Sequence, residues 1–254
     1  VGGLIAQAAG LTFPFYAAFV MALVSGAFVL PIRESTFCSR TSSSESSPLA
    51  IFRSLRQNIS ESRSLLVLSF RGFIIGISQG LFALVFVLYM AFQLGMQPAE
   101  VGLTFSLVSG STLAFTFLAG HFSDRFGRKP FVIVGGIIIA SGLLALSLIR
   151  SASEVYVVSL ILGFGIALNN APISALLADC VIPDIRGKVM GGYEMIVGVG
   201  RTLGVLILGG LYAVSPSAPF HLLGVLILVT VALVALLVTE PRSRAATSAS
   251  LPTM

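Results

Sequence analysis

Charge is what this chain has least of. Only 10% of its 254 residues are Asp, Glu, Lys or Arg, against about a quarter in soluble globular domains. Tryptophan is absent, 56% of the residues are hydrophobic and the mean hydropathy is +1.01. Together these exclude a soluble globular fold and put the chain in a bilayer. Cysteine is also scarce. Cys38 and Cys180 stand alone, with no second cysteine at metal-ligand or C-x-x-C spacing, which excludes a zinc site and a disulfide framework. No metal or cofactor is expected. The chain has no phosphate-binding loop, no H-E-x-x-H and no nucleophile elbow, so it is not expected to be an enzyme. It opens on apolar residues without a basic leader, so no cleavable signal peptide is expected.

What it has in abundance is apolar runs. Gly72 to Ala99, Val101 to Ser123, Phe131 to Ile149, Val155 to Ala178 and Thr202 to Thr239 contain no charged residue, and a helix needs about 20 apolar residues to cross the hydrocarbon core. The last run is broken at Ser215-Pro216-Ser217-Ala218-Pro219 and has room for two crossings. Residues 1 to 9 read as the end of a helix. Full spans are expected near 15 to 30, 65 to 93, 98 to 119, 131 to 149, 155 to 178, 189 to 213 and 219 to 238.

The polar connection 32 to 64 opens with SRTSSSESSP, a composition that cannot bury a core. Its second half places Ile51, Phe52, Leu55 and Ile59 near one helical face and Arg53, Arg56 and Arg63 elsewhere, the pattern of a helix lying on the membrane surface. The formal net charge of +5 reads as topology rather than as affinity for nucleic acid. The loops on one side carry twelve of the fifteen Lys and Arg residues, from Arg33 to Arg244; the other side receives only Arg150, and Arg71 and Arg201 fall inside spans. By the positive-inside rule the linker and the tail, 240 to 254, are cytoplasmic.

Between two apolar runs lies GHFSDRFGRKP, Gly120 to Pro130, a polar and basic turn at the membrane surface. Its pattern G-x-x-x-D-R-x-G-R-K resembles the loop signature of the major facilitator superfamily of secondary transporters. In that family it follows the second helix of a half, as it follows the second span of 65 to 239 here. The resemblance implies an all-α membrane protein of two six-helix halves. An internal repeat agrees with it: Gly2-Gly3-Leu4 and Pro14-Phe15 reappear as Gly209-Gly210-Leu211 and Pro219-Phe220, at offsets of 207 and 205. Both copies run the same way through the membrane, the relation of two halves about an axis along the membrane normal. A second half starting near residue 65 then puts the start of the first half roughly 140 residues before Val1. The chain is thus expected to hold the end of helix five and helix six (1 to 31), the linker (32 to 64), the C-terminal six-helix half (65 to 239) and the tail, without most of its N-terminal half.

The residue types of the turn have physical reasons. Gly120 and Gly127 suit close helix packing and a tight turn. Asp124 is placed to accept backbone N–H groups at a neighbouring helix start. Arg125, Arg128 and Lys129 can pair with carboxylates or hold the turn at an anionic leaflet. By the resemblance, Asp179 and Arg186 around the next cytoplasmic loop are partner charges, Asp179 the mate of Arg128, and the cluster is a latch released during alternating access. The plainer alternative is a basic loop that only sets topology.

Charges inside spans are functional candidates by default. Glu194 and Arg201 are seven residues apart and so share nearly one helix face; counted from Gly187 they lie roughly 10 and 20 Å deep. Arg201 could bind an anionic substrate or tune a carboxylate's proton affinity, with structural pairing between helices the alternative, and Glu194 is the candidate for proton coupling. Arg71, just inside its span, is expected to snorkel to the headgroups. In the resembled family the first and fourth helices of a half line the cavity, which makes Gln79, Tyr89, Asn169 and Asn170 candidate substrate contacts; polar glue between helices is the alternative. Asn169-Asn170 followed by Pro172 is a polar interruption in an otherwise apolar span. The stretch GGYEMIVGVGRTLGVLILGG resembles a degenerate form of the glycine-rich helix-five motif of the family's antiporters, with Val205 where the proline would stand.

The expected function is proton-coupled transport of a small molecule by alternating access at the plasma (inner) membrane, with drug or metabolite efflux by antiport leading. Uptake of a sugar or organic acid is the alternative within the class, and a non-transporting scaffold or receptor the alternative outside it. The partners are lipid, substrate, protons and the missing half, with no nucleic acid.

Overall fold

Helices are the only regular elements among the residues that the computed structural model describes, 12–29, 63–179 and 186–238. Helix α1 is Phe13–Val29. Helix α2 starts at Arg63–Gly80 and runs on through two π-helical turns, Leu81–Val85 and Tyr89–Gln93, around a short α stretch, Phe86–Leu88. Then come α3, Pro98–Phe126, α4, Arg128–Leu146, α5, Ala152–Asp179, α6, Arg186–Val214, and α7, Ala218–Leu237. The six from α2 to α7 are long and apolar enough to cross a membrane. The expected helix end at 1 to 9, the linker up to residue 62 and the tail lie outside the described residues.

Local chemistry sets the boundaries. Gln97 in extended backbone precedes Pro98 at the first turn of α3, and the Glu100 carboxylate accepts the Gln97 N–H at 2.7 Å, closing a capping box. Glu154 in the first turn of α5 accepts the Arg150 N–H at 3.2 Å, where the helix dipole favours an anion. One expectation changes here. The motif Gly120 to Pro130 is barely a loop: α3 continues through Phe126, α4 begins at Arg128, and Gly127 alone, at φ 94° and ψ 150°, makes the turn. Its backbone lies in a region that only glycine enters without strain. The span expected near 155 to 178 is one helix, and α5 is continuous through Pro172.

The spans pack in pairs, and α2 against α6 is the closest. Gly72, Gly76 and Gly80 recur every fourth residue, one stripe of α2. A Cβ on Gly76 would collide with the Val197 carbonyl, and one on Gly80 would stand 2.7 Å from the Arg201 carbonyl; from the other side, Gly200 lies against Phe73 and Gly204 against Ile77. Two backbones this close gain dispersion and weak C–H···O contacts that bulky side chains would forbid. On the other side of the bundle Ser111 Oγ of α3 donates to the Leu160 carbonyl of α5 at 2.9 Å, and Thr112 Oγ1 to the Gly163 carbonyl at 3.1 Å. One apolar cluster around Leu81, Phe86, Leu143 and Phe220 fills the end away from the Gly127 turn. A second, around Leu68, Val132, Leu176 and Val234, fills the near end.

The two least covered spans are α3 and α6. In the most apolar stretch of each, 17% and 22% of residues are buried, against 39% to 56% in the others.

Candidate functional site

At the Gly127 turn, Asp124 and Arg128 face each other one helical turn apart. Asp124 Oδ1 accepts from Arg128 Nη2 at 3.1 Å and from Arg128 Nε at 3.3 Å. Arg125 stands over the Phe126 ring at 5.9 Å, a cation–π geometry. The carboxylate therefore pairs across the turn, where the sequence suggested backbone N–H groups of a neighbouring helix. The close packing expected at Gly120 is not found: a Cβ there would meet nothing within 4 Å. Lys129 follows in the first turn of α4 and Arg186 opens α6, exposed. Asp179 ends α5, and its side chain lies outside the described ones.

Helix α6 has two unlike exposed faces. One carries Met195, Val199, Leu203 and Leu206, each at least 38% exposed. The other carries Glu194 and Arg201, both exposed, among Gly187, Gly191 and Gly198, whose added Cβ atoms would meet nothing within 4 Å. Bulky apolar side chains suit lipid, whereas a smooth charged face needs protein or water. Arg201 is fixed in register because its backbone lies against Gly76 and Gly80. Gln79, next to Gly80, is exposed beside the same seam.

The other cavity candidates divide. Tyr89 is buried; its hydroxyl donates to the Ile149 carbonyl at 3.1 Å and its ring meets Phe220 edge-on at 5.0 Å. Asn169 is buried with its Oδ1 unpartnered, while Asn170 is exposed. A groove of about 600 Å³ between α3 and α5, floored by Gly110, Ala114 and Phe164, includes none of the candidates.

Arg71 does not snorkel. It is 2% exposed in the bundle core, where its Nη1 donates to Thr230 Oγ1 of α7 at 3.3 Å, and its Nε has no partner. Gly136 of α4 makes room: a Cβ there would collide with Val231 and stand 3.3 Å from Arg71 Nη2. The position beside the charge-free run was visible in the sequence, but no motif marks α4 and α7 as its surroundings. The glycine stripe 72, 76, 80 was missed as well, although its period of four is plain in the sequence.

Six apolar spans, a basic one-residue turn and charges within a glycine-rich span define the class: an all-helical, multi-pass membrane protein. The family model of the Major Facilitator Superfamily matches residues 68–253, and the chain belongs to that superfamily. Among its relatives, Multidrug resistance protein MdtH of Aeromonas hydrophila is 29% identical over 115 residues, 45% of this chain and 29% of that protein. An uncharacterized MFS-type transporter of Mycobacterium tuberculosis is 33% identical over 131 residues, 51% of this chain and 29% of that protein. The matched stretch thus spans less than a third of either relative. Among solved structures, a mutant peptide transporter POT in complex with alafosfalin superposes at a TM-score of 0.60 with 20% identity, covering 76% of this chain and 44% of that one. The POT complex with sulfate gives 0.57 with 21% identity, over 68% and 37%. These likenesses bear on the fold.

Proposed function

We propose that the full-length protein exports a small molecule, a drug or metabolite, in exchange for protons by alternating access at the plasma membrane. The observation that carries the reading is the face of α6, where Glu194 and Arg201 stand exposed among open glycines deep in a span. Charges at that depth are retained where they meet water, substrate or a partner charge. Similarity to the multidrug resistance protein MdtH supports export of a drug-like molecule as the leading reading.

The partner is the N-terminal half, docking on the uncovered faces of α3 and α6, with substrate passing between the halves. Glu194 carries the coupling proton; Arg201, Gln79 and Asn170 face the substrate. Asp124, Arg128, Asp179 and Arg186 form the cytoplasmic latch, with the linker and tail on the same side. The test is flux through the full-length protein in liposomes. Export driven by an imposed proton gradient and lost in Glu194→Gln is expected. Gradient-driven accumulation in the opposite direction would make the protein an importer, and no flux under any gradient would make it a scaffold.

A further inference from the structure

Arg71 sits at a level of the bundle where the apolar packing is interrupted on four helices at once. On α2 it lies between Leu68 and Ile74, and on α4 Gly135 and Gly136 lie between Val132 and Ile139. On α5 Asn169 lies between Leu162 and Ile173, and on α7 Thr230 lies between Ile227 and Val234. In each flanking pair one residue belongs to the apolar cluster near the Gly127 turn and the other to the cluster at the far end. The two clusters thus enclose a polar layer. Its three polar side chains, Arg71, Asn169 and Thr230, are each at most 3% exposed.

Hydrogen-bond counting shows what the layer is short of. The Thr230 hydroxyl gives its hydrogen to the Ile227 carbonyl at 2.8 Å, so toward Arg71 Nη1, at 3.3 Å, it acts only as an acceptor. A guanidinium has five N–H donors and keeps its charge inside a protein. Arg71 Nε, one prong of the edge by which guanidinium groups grip anions side-on, has no partner. Among the described residues no carboxylate pairs with Arg71. Gly136 keeps space beside the group, since an added Cβ would stand 3.3 Å from Nη2 and 3.7 Å from Nη1.

Water would extend the hydrogen bonding but leave the charge uncompensated, which a low-dielectric interior penalises heavily. An anion supplies both the acceptor and the opposite charge. Apolar side chains bound the layer on both sides, so the anion must be small. We propose that the layer binds one small monovalent anion, of the size of chloride, on the free edge of Arg71. Asn169 is the layer's other uncommitted side chain: its Oδ1 has no partner, and turning the amide over presents N–H groups in its place. The site is independent of the cargo. When occupied it ties the stability of the α2, α4 and α7 core to the concentration of the anion.

Thermal unfolding of the purified chain in detergent, at constant pH and ionic strength with gluconate replacing chloride, reads the site. The midpoint should rise by about 3–6 °C for each tenfold increase in chloride past the dissociation constant. Bromide should act like chloride, and gluconate, too large for the layer, should give no rise. Arg71→Met should lose the chloride dependence, whereas Arg150→Gln, at an exposed position, should keep it. Equal midpoints of the native chain in chloride and gluconate, or a chloride dependence that survives in Arg71→Met, would overturn the proposal.

Discussion

Arg71 of α2 and Thr230 of α7 meet in the bundle core, guanidinium to hydroxyl at 3.3 Å, and no carboxylate among the described residues joins them. A guanidinium stays charged inside proteins. One neutral acceptor is a thin shell for five donors, and Gly136 keeps the space that the group occupies.

Removing that acceptor should hurt more than removing the charge. Thr230→Val strands the guanidinium and is expected to cost about 1–3 kcal/mol. Arg71→Met, close in volume and free of desolvation, is expected to be neutral or to stabilise by about 1–4 kcal/mol. Thermal unfolding of the purified chain in detergent reads both. Equal losses in the two variants would show that packing, not charge, dominates the site.

The α2–α6 seam predicts opposite signs for the same substitution. Gly76→Ala puts a Cβ into the Val197 carbonyl and should cost about 1–3 kcal/mol as the helices part. Gly198→Ala on the open face should stabilise the chain by roughly 0.5–1 kcal/mol through helix propensity. If the other half docks there, Gly198→Ala should also slow transport by the full-length protein. Denaturation curves and flux, measured side by side, separate these effects.

At the motif, stability and activity should come apart. Gly127→Ala forces a side chain to φ 94° and is expected to cost about 1–3 kcal/mol. Asp124→Asn loses an i,i+4 pair whose carboxylate side chain is 65% exposed, so stability should stay within about 0.5 kcal/mol. Transport should nevertheless fall, with membrane insertion normal. Unchanged transport would leave the motif a topology signal only.

On α6, Arg201→Lys keeps the charge and loses the planar fork. If Arg201 grips an anionic group bidentately, apparent affinity should weaken about tenfold with maximal flux retained; if it serves only as a positive charge, Lys should substitute fully and Arg201→Gln should not. Concentration-dependent flux through the full-length protein distinguishes the two.

The spans were legible because apolar runs, capping residues and glycine breaks act locally. The Pro98 start, the α6–α7 break at Ser215 and the family signature all follow from neighbouring residues. What the sequence hid was lateral. Whether Arg71 reaches lipid or buries itself depends on Gly136 and Thr230, 65 and 159 positions away, and on the direction in which α2 is rotated. Tyr89 read as a cavity residue for the same reason: its polar end was visible, but the Ile149 carbonyl that takes its hydrogen was not. The length of the turn was misread for a different cause, since polar residues past a membrane boundary look like loop even when the helix continues.

Because a single residue separates α3 from α4, the two spans have no slack between them. A tilt of the sparsely covered α3 can be absorbed only by rotation about the backbone bonds of Gly127; otherwise it is passed directly to α4, and through Gly136 to the pocket that holds Arg71. Movement at the exposed edge of the bundle would thus arrive at its most deeply buried charge as a lever stroke across a joint.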